Sequence, residues 1–382
     1  MYDLMARPAP HQPQWTDDPD YPAVRGVLAA APPLVSAAEL WTLRARLARV
    51  AAGQDVVLQA GDCVETFSDC TPPAVAAKLA TLDDLGARLS RRTGAPVVRV
   101  GRLGGQFAKP RSRPAEPYNG RDLPTFRGPM INSTLATEAA RRPDPRRMLR
   151  AYAAADEVTT LVGAHRDTPG GPWTSHEALV LDYEESLART DPETGAAYLA
   201  STHLPWIGER TRHPDGAHVA LLAAVANPVA CKVGPSAAVE DVLRVCDLLD
   251  PDRVPGRLVL IARMGRRHIG AVLPGVVNAV RRAGHPVVWL SDPMHGNTVR
   301  TSTGLKTRLL VDVVAEATAF RDILLREGVH PGGLHLEVAA GDVTECVGGP
   351  VPDEAGLRLR YTSLCDPRLN PRQAGALIDA WC

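Results

Sequence analysis

One pattern recurs along the chain and limits the folds open to it: an amphipathic helix, then a short apolar strand that ends in glycine or a charged side chain. Ser36–Ala52 carries Leu40, Leu43, Leu47 and Val50 near helical spacing, and Asp55–Ala60 then runs as a buried strand into Gly61-Asp62-Cys63. Helix Pro73–Arg91 leads to strand Pro96–Val100 and Gly101-Arg102. Helix Ala237–Leu249 leads to strand Arg257–Ile261, which ends in Ala262-Arg263-Met264-Gly265. Helix Gly275–Ala283 leads to strand Pro286–Leu290 and Ser291-Asp292-Pro293-Met294-His295. Helix Asp312–Glu327 leads to strand Gly333–Val338, which holds His335 and Glu337. Such alternation reads as a parallel sheet with crossover helices.

With Trp173–Ser175, Ala200–Ile207 and Ala230–Val233 added, about eight strands are counted. That number favours an α/β fold closed into a (β/α)8 TIM barrel over an open Rossmann sheet. No Gly-x-Gly-x-x-Gly follows the first strand, which further lowers a dinucleotide reading. Ser175 is expected to cap a helix running from His176 to Arg189. The proline-bearing stretch 110–129 is expected as a surface loop. Residues 1–34 read as an N-terminal arm with a short helix near Ala23–Ala30, and 35–382 as the barrel domain.

Forty-three positive side chains balance 43 negative ones, which argues against bulk nucleic-acid binding. The seven cysteines include no CxxC pair, so neither a disulfide framework nor a zinc ribbon is expected. No apolar run reaches the roughly 20 residues a membrane helix needs, and Met1 to Pro19 lacks an apolar signal-peptide core. A cytoplasmic location is expected.

In a barrel the strand C-termini form the catalytic face. Arg102, Arg210, Lys232 and Arg263 all follow short apolar segments there. One such cation is ordinarily a rim salt bridge; four at equivalent positions suit a compact anion bearing phosphate and carboxylate. Gly104, Gly105, Lys109, Arg111 and Ser112 resemble a second phosphate site. Cys63, His295, Glu337 and Asp366 offer S, N and O donors suited to Mn, Co, Fe or Zn. Spacing does not join these four: a lone buried Cys packs as a small hydrophobe, and a lone His is usually only hydrogen-bonded. Trp206 reads equally as core. Glu209 is placed to orient Arg210 or steer a proton, and Glu177 is either a site carboxylate or a first-turn helix residue.

The strings LQAGDCVETF (58–67), GRLGGQFAKPRS (101–112), TSHEAL (174–179), WIGERTR (206–212), ANPVACKVGP (226–235), DPMHGNT (292–298), GGLHLEV (332–338), TECVGG (344–349) and CDPRLN (365–370) make the chain resemble class II 3-deoxy-D-arabino-heptulosonate 7-phosphate (DAHP) synthases, in a short form. The resemblance covers the chain from about residue 34 to its end. It implies a metal-dependent condensation of phosphoenolpyruvate with D-erythrose 4-phosphate and water, giving DAHP and phosphate, the first step of the shikimate pathway. It implies a divalent metal, manganese first, on Cys63, His295, Glu337 and Asp366. It implies phosphoenolpyruvate on Arg102, Glu209, Arg210, Lys232 and Arg263, with Glu209, Arg210 and Lys232 serving catalysis. The aldose phosphate would meet Lys109, Ser112 and Asn132.

The chain departs from the family pattern in places. Arg127-Gly128-Pro129 stands where RGD is frequent, and Ser291 where a Cys is common. The short form implies weak or no inhibition by aromatic amino acids, as in enzymes serving secondary metabolism. A homodimer and a chorismate mutase partner are expected associations. Two other readings are an amino analogue of the aldose phosphate as substrate and a silent paralogue that binds a partner.

Overall fold

The computed structural model describes residues 6–118, 120–166 and 170–382. Eight parallel strands close into a barrel: β1 (Val56–Gly61), β2 (Val97–Arg102), β3 (Trp173–Glu177), β4 (Leu204–Ile207), β5 (Val229–Val233), β6 (Leu258–Ala262), β7 (Val288–Ser291) and β8 (Gly333–Glu337). Each pairs with its sequence neighbours, and β1 pairs with both β2 and β8 to close the ring. The expected barrel is therefore present.

Strand side chains alternate between two faces. One set points inward: Val57, Val98, Val100, Trp173, Leu204, Trp206, Ala230, Val259, Ile261, Val288 and Leu290 form a single cluster. Leu43, Leu47 and Val50 of helix α2 (Ala37–Ala51) belong to that cluster, so α2 lies against the barrel interior. A capping box between Ser36 and Glu39 starts α2. Arg46 and Arg49 tie it to buried Asp55 at 3.0 and 2.9 Å.

Helix α1 (Tyr21–Ala30) lies in the N-terminal stretch, and the long helix α3 (Pro72–Thr93) follows β1. After β2 come the short α4 (Glu138–Arg141) and the long α5 (Arg147–His165). α5 is not among the helices expected above, although Met148, Ala151, Ala155, Val158 and Val162 are buried at helical spacing. α6 (Leu181–Ser186), α7 (Ala217–Ala223), α8 (Val239–Leu249), α9 (Ile269–Arg282) and α10 (Leu310–Arg326) complete the layer, with a final α11 (Pro371–Trp381) capped by Asn370. None of the described helices is long and apolar enough to cross a membrane.

Two expectations need correction. Ser175 is no helix cap: it lies in β3, where its hydroxyl donates to Gly101 O (2.8 Å) and accepts from Gln59 Nε2 (2.9 Å). An Oγ spent across strands cannot turn back to a helix N–H, and the next helix starts only at Leu181. The stretch 110–129 is not plain surface loop either. It holds a hairpin, Ala115–Tyr118 against Arg121–Pro124, and buries Leu123 and Phe126.

The N-terminal stretch packs on the β3–α6 side of the barrel. Trp15 Nε1 and the Tyr21 hydroxyl both donate to Asp182, at 2.9 and 2.6 Å. Gln12 Nε2 donates to Leu179 O at 2.8 Å. Residues 1–5 of the expected arm lie outside the described residues.

Candidate active site

The inward alternation explains why charge collects at one end of the barrel. Val98 and Val100 are followed on the same face by Arg102, Ala230 by Lys232, Val259 and Ile261 by Arg263, Val288 and Leu290 by Asp292, and His335 by Glu337. Gly61 stands in register with both Arg102 and Glu337. Its φ is 149°, and a Cβ there would lie 2.8 Å from Arg102 O, so only glycine lets the Arg102 backbone come this close.

Glu337 is wholly buried at the centre of this end. Its Oε1 accepts from Arg102 Nη2 (3.1 Å) and Lys109 Nζ (3.3 Å) and lies 3.1 Å from His295 Nε2. Its Oε2 lies 2.8 Å from Arg308 Nη2. Burial alone raises a carboxyl pKa, yet His295, Lys109 and Arg308 override it and hold Glu337 well below the usual carboxylate range. Asp366 shows the same outcome: burial is outweighed by Lys109, with help from Arg308 and Lys306. Lys306 Nζ donates to Asp366 Oδ1 at 2.7 Å.

The four expected metal ligands meet here as two pairs. Cys63 Sγ is 3.8 Å from Asp366 Oδ2, and His295 faces Glu337. The Lys109 ammonium sits between the pairs, 3.3 Å from Glu337 and 3.5 Å from Asp366. Among the described residues no three His, Cys, Asp or Glu groups surround one point as they stand. The donor set still fits a divalent transition ion in chemistry: one sulfur, one imidazole and two carboxylates converge where a positive charge already sits. His295 is also aimed as metal-binding histidines are, with Nδ1 held 2.7 Å from Asp292 Oδ2. Burial, then the Glu337 charge, pushes the Cys63 thiol well up, so ligation there would release a proton.

Beside this centre opens a cavity of about 190 Å³ lined by Lys109, Arg210, Lys232, Arg263, Glu177, Glu209, His295 and Asp366 among others. Lys232 Nζ donates to Asp292 Oδ2 at 2.9 Å and lies over the Trp206 ring, 5.8 Å from its centroid. Burial lowers the Lys232 pKa, and Asp292 opposes that. Arg263 Nη2 donates to His295 O at 3.2 Å. Arg210 reaches across to Ser112 Oγ at 2.9 Å. Arg102 does not line the cavity; it is 1% exposed, its guanidinium 5.0 Å from the Trp206 ring.

Several expectations change in detail. Glu209 pairs with Arg212 (3.1 Å), not with Arg210. Glu177 closes β3 at the cavity wall and is not in a helix; its buried Oε1 has no hydrogen-bond partner among the described residues. Gly208 allows this, since a Cβ there would come within 2.0 Å of that oxygen. Asn132 stands apart from the cavity. Its amide accepts from Arg127 N (2.9 Å) and donates to Thr125 O and Arg141 O (3.0 Å each). Asp292, Lys306 and Arg308 are not among the expected site residues, although Lys306 and Arg308 form a compact cationic Lys-Thr-Arg string.

The pattern of the class-II DAHP synthetase family matches residues 2–171 and 168–379. A probable phospho-2-dehydro-3-deoxyheptonate aldolase of Pseudomonas fluorescens is 46% identical over 394 residues, spanning 100% of this chain and 97% of the relative. A phospho-2-dehydro-3-deoxyheptonate aldolase of Streptomyces coelicolor is 41% identical over 96% of this chain and 93% of its own length. One from Mycolicibacterium smegmatis is 40% identical, over 97% and 91%. The solved phospho-2-dehydro-3-deoxyheptonate aldolase of Francisella tularensis shares the fold, with a TM-score of 0.54 at 12% identity over 94% of this chain and 97% of that one.

Proposed function

The chain belongs to the class-II DAHP synthetase family and is an enzyme, a 3-deoxy-7-phosphoheptulonate synthase, and we propose how its residues divide that reaction between them. The reaction joins phosphoenolpyruvate to erythrose 4-phosphate with water, yielding DAHP and phosphate. One observation carries the assignment: Lys109, Arg210, Lys232 and Arg263 share a small cavity with His295 and Asp366. Cations so placed suit the phosphate and carboxylate of phosphoenolpyruvate, and the donors beside them suit a metal.

In this reading Lys232, Arg263 and Arg210 bind phosphoenolpyruvate, with the buried Arg102 adding positive charge behind Trp206 and Glu337. Trp206 supports Lys232 and Arg102 from one side. Holding both anionic ends fixes the C3 face towards the incoming aldehyde. Cys63, His295, Glu337 and Asp366 hold a divalent ion, with manganese the first candidate and cobalt, iron or zinc the others. When bound, the ion supplies Lewis acidity at the aldehyde oxygen. The C2–C3 π pair forms the new bond from C3 to the aldehyde carbon, the aldehyde oxygen becomes a hydroxyl by taking the proton that the attacking water gives up, and the water oxygen adds at C2. The C2–O bond to phosphate then breaks, and phosphate leaves among the cations.

Glu209, at the cavity wall and held by Arg212, orients that water and takes its proton. Lys109 and Ser112 meet the aldose phosphate; Ser112 already bonds Arg210, which links the two substrate sites. Asn132 acts on that half of the site through the loop it organises.

A phosphoenolpyruvate-consumption assay tests this reading. Metal-stripped protein is reconstituted metal by metal and offered erythrose 4-phosphate or other aldose phosphates. Consumption that needs both a divalent metal and erythrose 4-phosphate is expected. No consumption under any combination would overturn it.

A further inference from the structure

Arg263 and His295 lie on separate loops, one after β6 and one after β7, yet both face the same cavity. Their spacing is set from behind. The two loops touch backbone to backbone at Gly265 and Gly296, where a Cβ on Gly296 would fall 2.3 Å from Gly265 N. Glu316, from α10, is 1% exposed and plugs in at this junction. Its Oε1 accepts from Gly265 N at 2.8 Å, and its Oε2 accepts from Asn297 Nδ2 at 2.5 Å. Asn297 completes the tie by accepting from Arg266 N (3.0 Å) and donating to Pro293 O (2.9 Å). Among the described residues Glu316 takes part in no ion pair.

We propose that Glu316 is a positioning residue: its two carboxylate oxygens clamp the β6 and β7 loops together and so fix the distance between Arg263 and His295. The inference rests on the reading of the cavity as the phosphoenolpyruvate site. Geometry dictates the chemical type. Both partners of Glu316 are N–H donors, so the residue must offer two acceptors. A glutamine offers one acceptor and one donor. Its amide would face either Gly265 N–H or the Asn297 amide, donor against donor. Turning Asn297 over would then set its NH2 against Arg266 N–H and its oxygen against Pro293 O.

A burden on the junction therefore reaches phosphoenolpyruvate directly through Arg263, whereas the phosphate end of the aldose, carried by Lys109 and Ser112, lies off the junction and is affected only through His295. That split separates positioning from simple loss of fold.

The test is a double-mutant cycle of E316Q and N297D in the full chain, read three ways. Calorimetry measures phosphoenolpyruvate binding to metal-free protein, steady-state kinetics give KM for each substrate, and thermal unfolding checks the fold. E316Q is expected to lower kcat/KM for phosphoenolpyruvate by about 10²-fold, with KM rising clearly more for phosphoenolpyruvate than for the aldose phosphate. N297D alone sets a second carboxylate against Glu316 and is expected to do the same. In the double variant the carboxylate introduced at position 297 can accept both from the amide introduced at position 316 and from Arg266 N but leaves Pro293 O without its donor, so only part of the loss, about tenfold, should return. Phosphoenolpyruvate affinity in E316Q equal to the wild type would overturn the clamp. So would a double variant no better than its worse parent, or losses equal for the two substrates. Wild-type protein that bound no phosphoenolpyruvate would instead remove the reading of the cavity, and the clamp's role with it.

Discussion

Glu337 and Glu316 are both buried carboxylates at the same end of the barrel, 0% and 1% exposed, and their environments drive them in opposite directions. Burial raises both pKa values. At Glu337, His295, Lys109 and Arg308 reverse the effect, and the group stays ionised far into acid. At Glu316 the opposing contributions are only neutral donors, the backbone at Gly265 and Met264 and the Asn297 amide, while Asp292 adds to the rise, and the carboxyl is pushed up to about 7. Exposure therefore says little about the charge of a buried acid; the charges facing it decide. Glu345 is a loop clamp built with a cation beside it. It accepts from Thr362 N, Ser363 N and Arg368 N in the stretch carrying Asp366, but Arg368 also gives it an ion pair at 2.8 Å.

The contrast breaks most sharply at Glu337. E337Q leaves Arg102, Lys109 and Arg308 buried around a neutral amide, and about 4 kcal/mol of stability should go, as when one member of a buried ionic group is removed. Activity should vanish with it. Chemical denaturation and the phosphoenolpyruvate assay check both outcomes, and a stability near that of the wild type would show that the cations find other partners.

At Glu316 the sign is opposite. A carboxyl whose folded pKa lies above its unfolded value of 4.5 favours the folded state when protonated, so the ionised form that offers the clamp both acceptors is held at a cost in stability. That contribution is full below about 4.5 and is lost as pH rises through about 7. The stability of the wild type relative to E316Q should therefore fall by roughly 3 kcal/mol between pH 4 and pH 8. Denaturation series at several pH values measure this, and a flat difference would place the Glu316 pKa in the ordinary range.

The sequence reveals the barrel because alternation is a local property. An apolar strand that ends in Arg102, Lys232 or Glu337 announces both its inward face and its polar end. Ser175 misleads because a serine before an acidic helix-like run looks the same whether its hydroxyl caps a helix or crosses to another strand. Arg308 and Glu316 act through partners distant in the chain, as Asp292 does through Lys232. Arg308 meets Glu337, and Glu316 meets Gly265, so no period or spacing marks them. The resemblance, not the pattern, brings Cys63 and Asp366 together.

Asn132 illustrates the cost of carrying a role over by motif alone. Its side chain already serves Arg127 N, Thr125 O and Arg141 O. N132A would strand these backbone groups and should cost about 2 kcal/mol of stability. A raised KM for the aldose phosphate without any loss of stability would instead favour direct contact.

Ser291 extends the comparison to a group that carries no charge. It ends β7, directly before Asp292, and its hydroxyl is buried without a hydrogen-bond partner among the described residues. No neighbouring charge or donor offsets its desolvation, so the hydroxyl is a net cost that the folded state carries. S291C replaces it with a less polar group of similar shape, at the position where the family commonly has cysteine. The variant should gain up to about 1 kcal/mol, with kcat and KM unchanged, because the side chain alternates away from the inward-facing Leu290 and Asp292. Denaturation midpoints compared with turnover test this. A loss of stability would mean that the hydroxyl has a partner in solution, and a change in KM would mean that this strand end moves with the β7 loop that carries His295.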